Sequence, residues 1–96
     1  MSYSVYILSN STNTTIYIGV TNNLVRRVWE HKNAVDPESF SAKYSVKKLV
    51  YFETVNVVKD AIAREKQLKG WNRARKNELI SACNPNWDDL YPIISE

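Results

Sequence analysis

The chain of 96 residues carries 13 basic and 10 acidic side chains, 44% hydrophobic residues and three tryptophans, enough apolar material for one small core and too little chain for a second. One cysteine, Cys83, and one histidine, His31, exclude an internal disulfide and a Cys/His zinc site. With no apolar run of 18 residues and no charged-then-apolar leader, neither a membrane span nor export is expected, and the expected location is cytoplasmic.

Taken in order, Tyr3–Ser9 and Thr15–Thr21 alternate apolar with other side chains and flank a polar Ser/Asn/Thr stretch, which predicts a β-hairpin. A turn centred on Ser11 and Thr12 pairs Tyr6 with Tyr17 and puts both phenols on one face. Thr21 to Asn23 offer N-cap side chains for a short helix whose apolar stripe is Leu24, Val25, Val28 and Trp29. On that helix Arg27 and His31 stand one turn apart beside Leu24, while Arg26 and Glu30 share the far side as an exposed ion pair.

Asn33 to Ser45 has no period and reads as a surface loop, with Lys43, Tyr44, Lys47 and Lys48 at or just beyond its end. Tyr44 there suits either a stacked base or a plug over the core. Leu49 to Glu53 is rich in β-branched and aromatic residues and makes a third strand, the minimum for a stable sheet. A second helix runs from an Asn56 cap to Lys69, with Gly70 at a left-handed C-terminal cap. Val58, Ala61, Ile62 and Leu68 face inward, Glu65 falls at the centre of that stripe, and Lys59, Asp60, Arg64 and Gln67 point out. A carboxylate in such a place is paired or bound to a metal, so Glu65 reads either as a structural ion-pair partner or as a ligand.

A third helix from Arg73 to Ala82 packs Ala74, Leu79 and Ile80. It exposes Arg73, Arg75 and Lys76 at its N-terminus, where cations oppose the helix dipole unless an anion docks. Asn84-Pro85-Asn86 turns the chain so that Trp87, Leu90 and Tyr91 close over the core. The expected fold is α+β: one domain over residues 1–96, with its core over about 3–91, built as a small three-stranded antiparallel sheet flanked by three helices. Residues 43–76 hold ten basic and three acidic side chains, and residues 77–96 hold four acidic and no basic ones. The basic third, with Lys43, Lys47, Lys48, Arg73, Arg75 and Lys76, is either a nucleic-acid surface or a set of solvated faces.

Val5-Tyr6-Ile7 and Tyr17-Ile18-Gly19, with ten residues between the tyrosines and Arg27 ten positions after the second, resemble the GIY-YIG nuclease domain. Lys48–Glu53, Ala63–Trp71 and Asn84–Leu90 resemble the rest of its small stand-alone bacterial members. Val5 stands where the family name has glycine, and Val20 where some members carry lysine. The resemblance implies a metal-dependent endonuclease that hydrolyses nucleic-acid phosphodiesters, DNA first, in repair or processing. It also implies that Glu65 holds one Mg²⁺ or Mn²⁺ and that His31 relays a proton or touches phosphate, with Asn84 bracing the site.

Arg27 would then bind non-bridging oxygens, and Tyr6, supported by a hydrogen bond to Tyr17, would deprotonate water. A phenol with an ordinary pKa of ~10 needs Arg27 and the metal to lower it for that work. Gly19 lets a backbone or a phosphate approach the strand. So small a domain, without a base-reading motif, is expected to have weak sequence preference, with substrate structure, a protein partner or a homodimer supplying selectivity. Two other readings use the same residues: a non-catalytic nucleic-acid-binding module, and a buried polar network with no ligand.

Overall fold

The computed structural model describes residues 2–96. β1 (Tyr3–Ser9) is the central strand of an antiparallel sheet, with β2 (Ile16–Thr21) on one side and β3 (Lys48–Val55) on the other. Among the described residues five helices flank it: α1 (Leu24–Lys32), α2 (Phe40–Lys43), α3 (Val58–Gly70), α4 (Arg73–Cys83) and α5 (Tyr91–Ile94). The first, third and fourth of these are the expected helices, and the other two are single turns. α2 lies inside the segment expected to be irregular, where the Ser39 hydroxyl accepts from the Ala42 N–H. Among the described residues no helix is long and apolar enough to cross a membrane.

The hairpin forms in a different register from the expected one. Tyr6 faces Gly19 and Leu8 faces Tyr17, a slip of two residues that leaves both phenols on one face because the side-chain period is two. The cause lies in the loop. The Asn10 N–H donates to the Thr15 carbonyl, and the Asn10 side-chain oxygen accepts from the Thr14 and Thr15 N–H groups. Asn13 takes the left-handed conformation, φ 61°, which asparagine tolerates far better than the β-branched Thr12 that a tighter turn would have used.

Val5, Ile7 and Ile18 on one face of the sheet pack with Ala61, Leu68, Ile80 and Trp87. Val5 is fully buried in this core. Tyr6 and Leu8 on the other face pack with Val28, Val46 and Leu49, closed over by Leu90, Tyr91 and Ile94. Complete burial of one such aliphatic side chain contributes about 1.5–3 kcal/mol. A bulge opposite Ile7 and Leu8 leaves Val50 between two paired residues, and Val50 joins the first face.

The helices sit slightly rotated from expectation. On α1 the inward line is the partly buried Leu24 with the buried Val28 and His31, an i, i+4, i+7 seam, while Val25 and Trp29 are exposed. On α3 Ala61 and Leu68 are buried but Val58 and Ile62 are exposed. Asn56 does not cap α3, whose N-cap Val57 makes no side-chain hydrogen bond. Gly70 is the last helical residue rather than a left-handed cap, and Trp71 ends the helix in extended backbone. The Trp71 ring there lies against the guanidinium groups of Arg64, 5.2 Å away, and Arg75, 3.9 Å away, and one residue further on Asn72 caps α4.

Arg64 consequently turns inward, its Nε donating to Glu53 at 3.0 Å. Ala74 is exposed and Leu79 and Ile80 carry the packing of α4, while Cys83 is exposed at its end. The C-terminal flap forms as expected. The Asp89 carboxylate accepts from the Leu49 and Tyr91 N–H groups and pairs with Lys32, and Trp87 is buried.

Candidate active site

Tyr6 lies on the central strand opposite Gly19. A Cβ on Gly19 would stand 2.6 Å from the Tyr6 hydroxyl oxygen and 2.7 Å from Cζ, so the ring occupies the space above the one strand residue that has no side chain. Gly19 therefore makes room for the phenol, not for an approaching backbone or phosphate. The fully buried Tyr6 hydroxyl is hydrogen-bonded to His31 Nε2 at 3.0 Å, and His31 Nδ1 lies 2.6 Å from the Ser41 hydroxyl. One polar chain thus ties β1, α1 and α2 together.

The Tyr17 ring packs at 6.3 Å from Tyr6 and 5.4 Å from His31, tilted to both. The expected Tyr6–Tyr17 hydrogen bond is replaced by the bond to His31, because the two-residue register slip moves the Tyr17 ring along the strand.

Burial sets the electrostatics. It pushes the Tyr6 phenol up to about 12, with Tyr17 and Glu65 adding to the rise and Arg27 pulling down less strongly. The lowered phenol pKa expected from Arg27 is therefore not realised in the protein alone. Burial, then the charge of Arg27, holds His31 down to about 4, so its imidazole is neutral at pH 7. The Arg27 side chain is 44% exposed and donates to Glu30 at 3.1 Å. Glu30 also faces Arg26 at 3.5 Å, so it holds both arginines and not only the expected one.

Glu65 projects from α3 between Ala61 and Leu68, with its side chain 17% exposed and 3.6 Å from Lys69. α3 packs on the sheet face opposite Tyr6, and the charge of Glu65 makes the smallest of the contributions that raise the phenol, after burial and Tyr17. Among the described residues no three His, Cys, Asp or Glu side chains cluster as a metal site. A lone, mostly buried carboxylate fits a hard divalent ion that keeps waters and takes phosphate oxygens; it does not fit an all-protein cage.

The remaining predicted residues separate. Asn84 is buried, its amide donating to the Val50 and Asp88 carbonyls and its oxygen accepting from the Asp88 N–H. It fastens the C-terminal turn to β3, at the far edge of the sheet from β2, and is not brought to Tyr6. Arg73 donates to the Asn13 and Thr14 carbonyls and Lys48 to the Asn13 side chain, so both hold the hairpin loop. Arg75 is stacked on Trp71. Lys43 is exposed with Glu38 at 3.6 Å, and Lys47 lines a cavity of about 320 Å³ with Lys32, Lys48 and Asp89. Lys76 joins Tyr17, Phe40 and Lys69 along a groove of about 350 Å³ on β2.

Ser41, Phe40 and the second role of Glu30 escaped the sequence reading. Ser39 before Phe40 carries an N-cap signal for α2, but nothing local marks Ser41, whose partner lies ten residues back.

The family model described as the GIY-YIG catalytic domain matches residues 2–78, a span that ends before Asn84. A UPF0213 protein of Clostridium perfringens is 38% identical over 82 residues, covering 85% of each chain. One of Syntrophus aciditrophicus is 38% identical over 80 residues, covering 79% of this chain and 86% of that one. The solution NMR structure of a UPF0213 protein from Bacillus halodurans superposes with a TM-score of 0.58 over 93% of both chains at 22% identity, a likeness of fold. With its sheet, its Tyr6–Gly19 crossing and this match, the chain belongs to the GIY-YIG nuclease family.

Proposed function

We propose that the protein is a metal-dependent endonuclease that hydrolyses phosphodiester bonds in nucleic acid, DNA in the first instance. The observation that carries the reading is the Tyr6 phenol, laid across Gly19 and hydrogen-bonded to a neutral His31 that Ser41 holds in turn. A Mg²⁺ or Mn²⁺ held by Glu65 would supply Lewis-acid stabilisation of the developing phosphate charge and of the leaving oxygen.

The protein's own groups do the rest. A phenol at about 12 holds no resting phenolate at neutral pH, so Tyr6 acts by exchange. Because the hydroxyl is buried in the free protein, it meets the attacking water only once substrate and metal occupy the site; it then takes a proton from that water while passing its own to His31 Nε2, and Nδ1–H stays on the Ser41 hydroxyl, which sets the tautomer. As the water oxygen bonds to phosphorus, the bond to the leaving oxygen breaks, and that oxygen is protonated from solvent. Arg27 exchanges Glu30 for the non-bridging oxygens, with a planar fork suited to phosphate. Pairing with that anion also offsets the positive charge that disfavours protonation of His31.

The test is cleavage of supercoiled, single-stranded and branched DNA and of RNA, with Mg²⁺, with Mn²⁺ and with chelator. Wild type is expected to cut only with metal, and Arg27→Ala and Glu65→Gln to lose at least ~10²-fold, the scale of losing one stabiliser of transition-state charge, with unchanged melting temperatures. Cutting that persists in Glu65→Gln or in chelator would sink the reading. Tight binding without any cutting would make the protein a non-catalytic nucleic-acid module.

A further inference from the structure

We infer that the groove on β2 takes an unpaired nucleobase beside the scissile phosphate, so that the substrate is nucleic acid with single-stranded character at the cut. The inference rests on the proposed cleavage site only for which phosphate lies next to the base.

Phe40 and Tyr44 are 45% and 54% exposed, and their rings stand 4.6 Å apart at the start and the C-cap of α2. Phe40 in turn stacks on Tyr17 at 6.1 Å, with 29° between the planes. An aromatic ladder therefore leads from solvent through Tyr44, Phe40 and Tyr17 to His31 and Tyr6. The platform is tied to the site, because α2 carries the buried Ser41 that bonds His31.

The groove beside it, about 350 Å³, is lined by Phe40 and Tyr17 together with Lys69 and Lys76. Lys69 also faces Glu65 at 3.6 Å, so the cationic wall runs up to the carboxylate assigned to the metal. A nucleotide fits both features at once: its flat base against the exposed ring, its phosphates along the lysines. Bases inside a continuous duplex are stacked on each other and offer no free face to a protein ring, whereas splayed bases stack on aromatic side chains.

The test is fluorescence anisotropy in chelator, with wild type and with Glu65→Gln. The probes are labelled 12-mers of single-stranded DNA, single-stranded RNA and blunt duplex DNA, plus a single strand carrying 2-aminopurine. Single strands are expected to bind about tenfold tighter than duplex, with 2-aminopurine quenched on binding. Phe40→Ala is expected to weaken single-strand binding about tenfold, within the range of ~1–3 kcal/mol per stacked base, with duplex binding unchanged, and Phe40→Trp to restore it. Comparison of the DNA and RNA arms identifies which sugar is preferred.

Duplex bound as tightly as single strand, equal losses on all probes in Phe40→Ala, absence of quenching, or no binding to any probe would each overturn the inference. Because binding is read without metal, a protein that never cuts still answers the question. Conversely, cleavage of continuous duplex unaffected by Phe40→Ala would remove this inference and leave the nuclease reading standing.

Discussion

The two faces of the sheet use the same three strands in opposite ways. Beneath α3 and α4, the strand residues Val5, Ile7 and Ile18 meet Ala61, Leu68 and Ile80, an apolar contact whose strength lies in area removed from water. Beneath α1 and α2, a buried phenol, a buried imidazole and a buried hydroxyl take positions where apolar side chains would also pack. Each of those polar groups needs its partner, because a buried donor or acceptor left alone costs about 1–3 kcal/mol. The first face supplies stability, and the second holds a phenol and an imidazole in their neutral forms.

Perturbing each face should separate these roles. The largest effect on stability is expected from Leu68→Ala, about 2–5 kcal/mol from the fully buried site, read by denaturant unfolding, with cleavage per folded molecule little changed. Loss of cleavage well beyond the folded fraction would show that the faces are not separable.

Titration probes the polar face next. His31 is near 4 in the folded protein against ~6.5 unfolded, so the unfolded chain takes up a proton first as pH falls. The stabilising contribution is complete above pH ~6.5 and is lost between there and about 4, at most about 3 kcal/mol. His31→Gln should flatten that part of the stability curve; an unchanged curve would remove the neutral imidazole from the mechanism.

Gly19→Ala comes third. Its methyl would collide with a ring that has no room to retreat, at a cost of about 1–3 kcal/mol, and the displaced hydroxyl should lose its bond to His31 along with most cleavage. A fully active Gly19→Ala protein would mean that the crossing of Tyr6 over β2 is irrelevant to function. The smallest effect is expected from Trp29→Ser, within about 0.5 kcal/mol, since this large side chain is half exposed on α1. A larger loss would place Trp29 in an interface.

Much of this was legible beforehand. Period-two alternation marked β1 and β2, and the inward placement of Glu65 at helical spacing from Ala61 and Leu68 was correct. Errors arose where local rules compete. Gly70 carries a strong capping signal, but the helix ends in extended backbone at Trp71, whose ring lies against Arg64 and Arg75. Val25 and Trp29 belong to the apolar pattern of α1, but this nine-residue helix meets the sheet along one narrow seam. Arg73 and Lys48 were counted as surface charge, and the hairpin loop turned out to use them.

By itself the sequence determined the antiparallel sheet, the helices of consequence and the residue types of the site, because side-chain periodicity and covalent chemistry are local properties. Only the tertiary structure decided that Tyr6 bonds His31 and not Tyr17, that Ser41 completes the chain, and that Phe40 and Tyr44 stand exposed beside two lysines. Those outcomes depend on strand register and on contacts between segments distant in the chain, and no local pattern encodes the distance between two side chains that meet only after the backbone has folded.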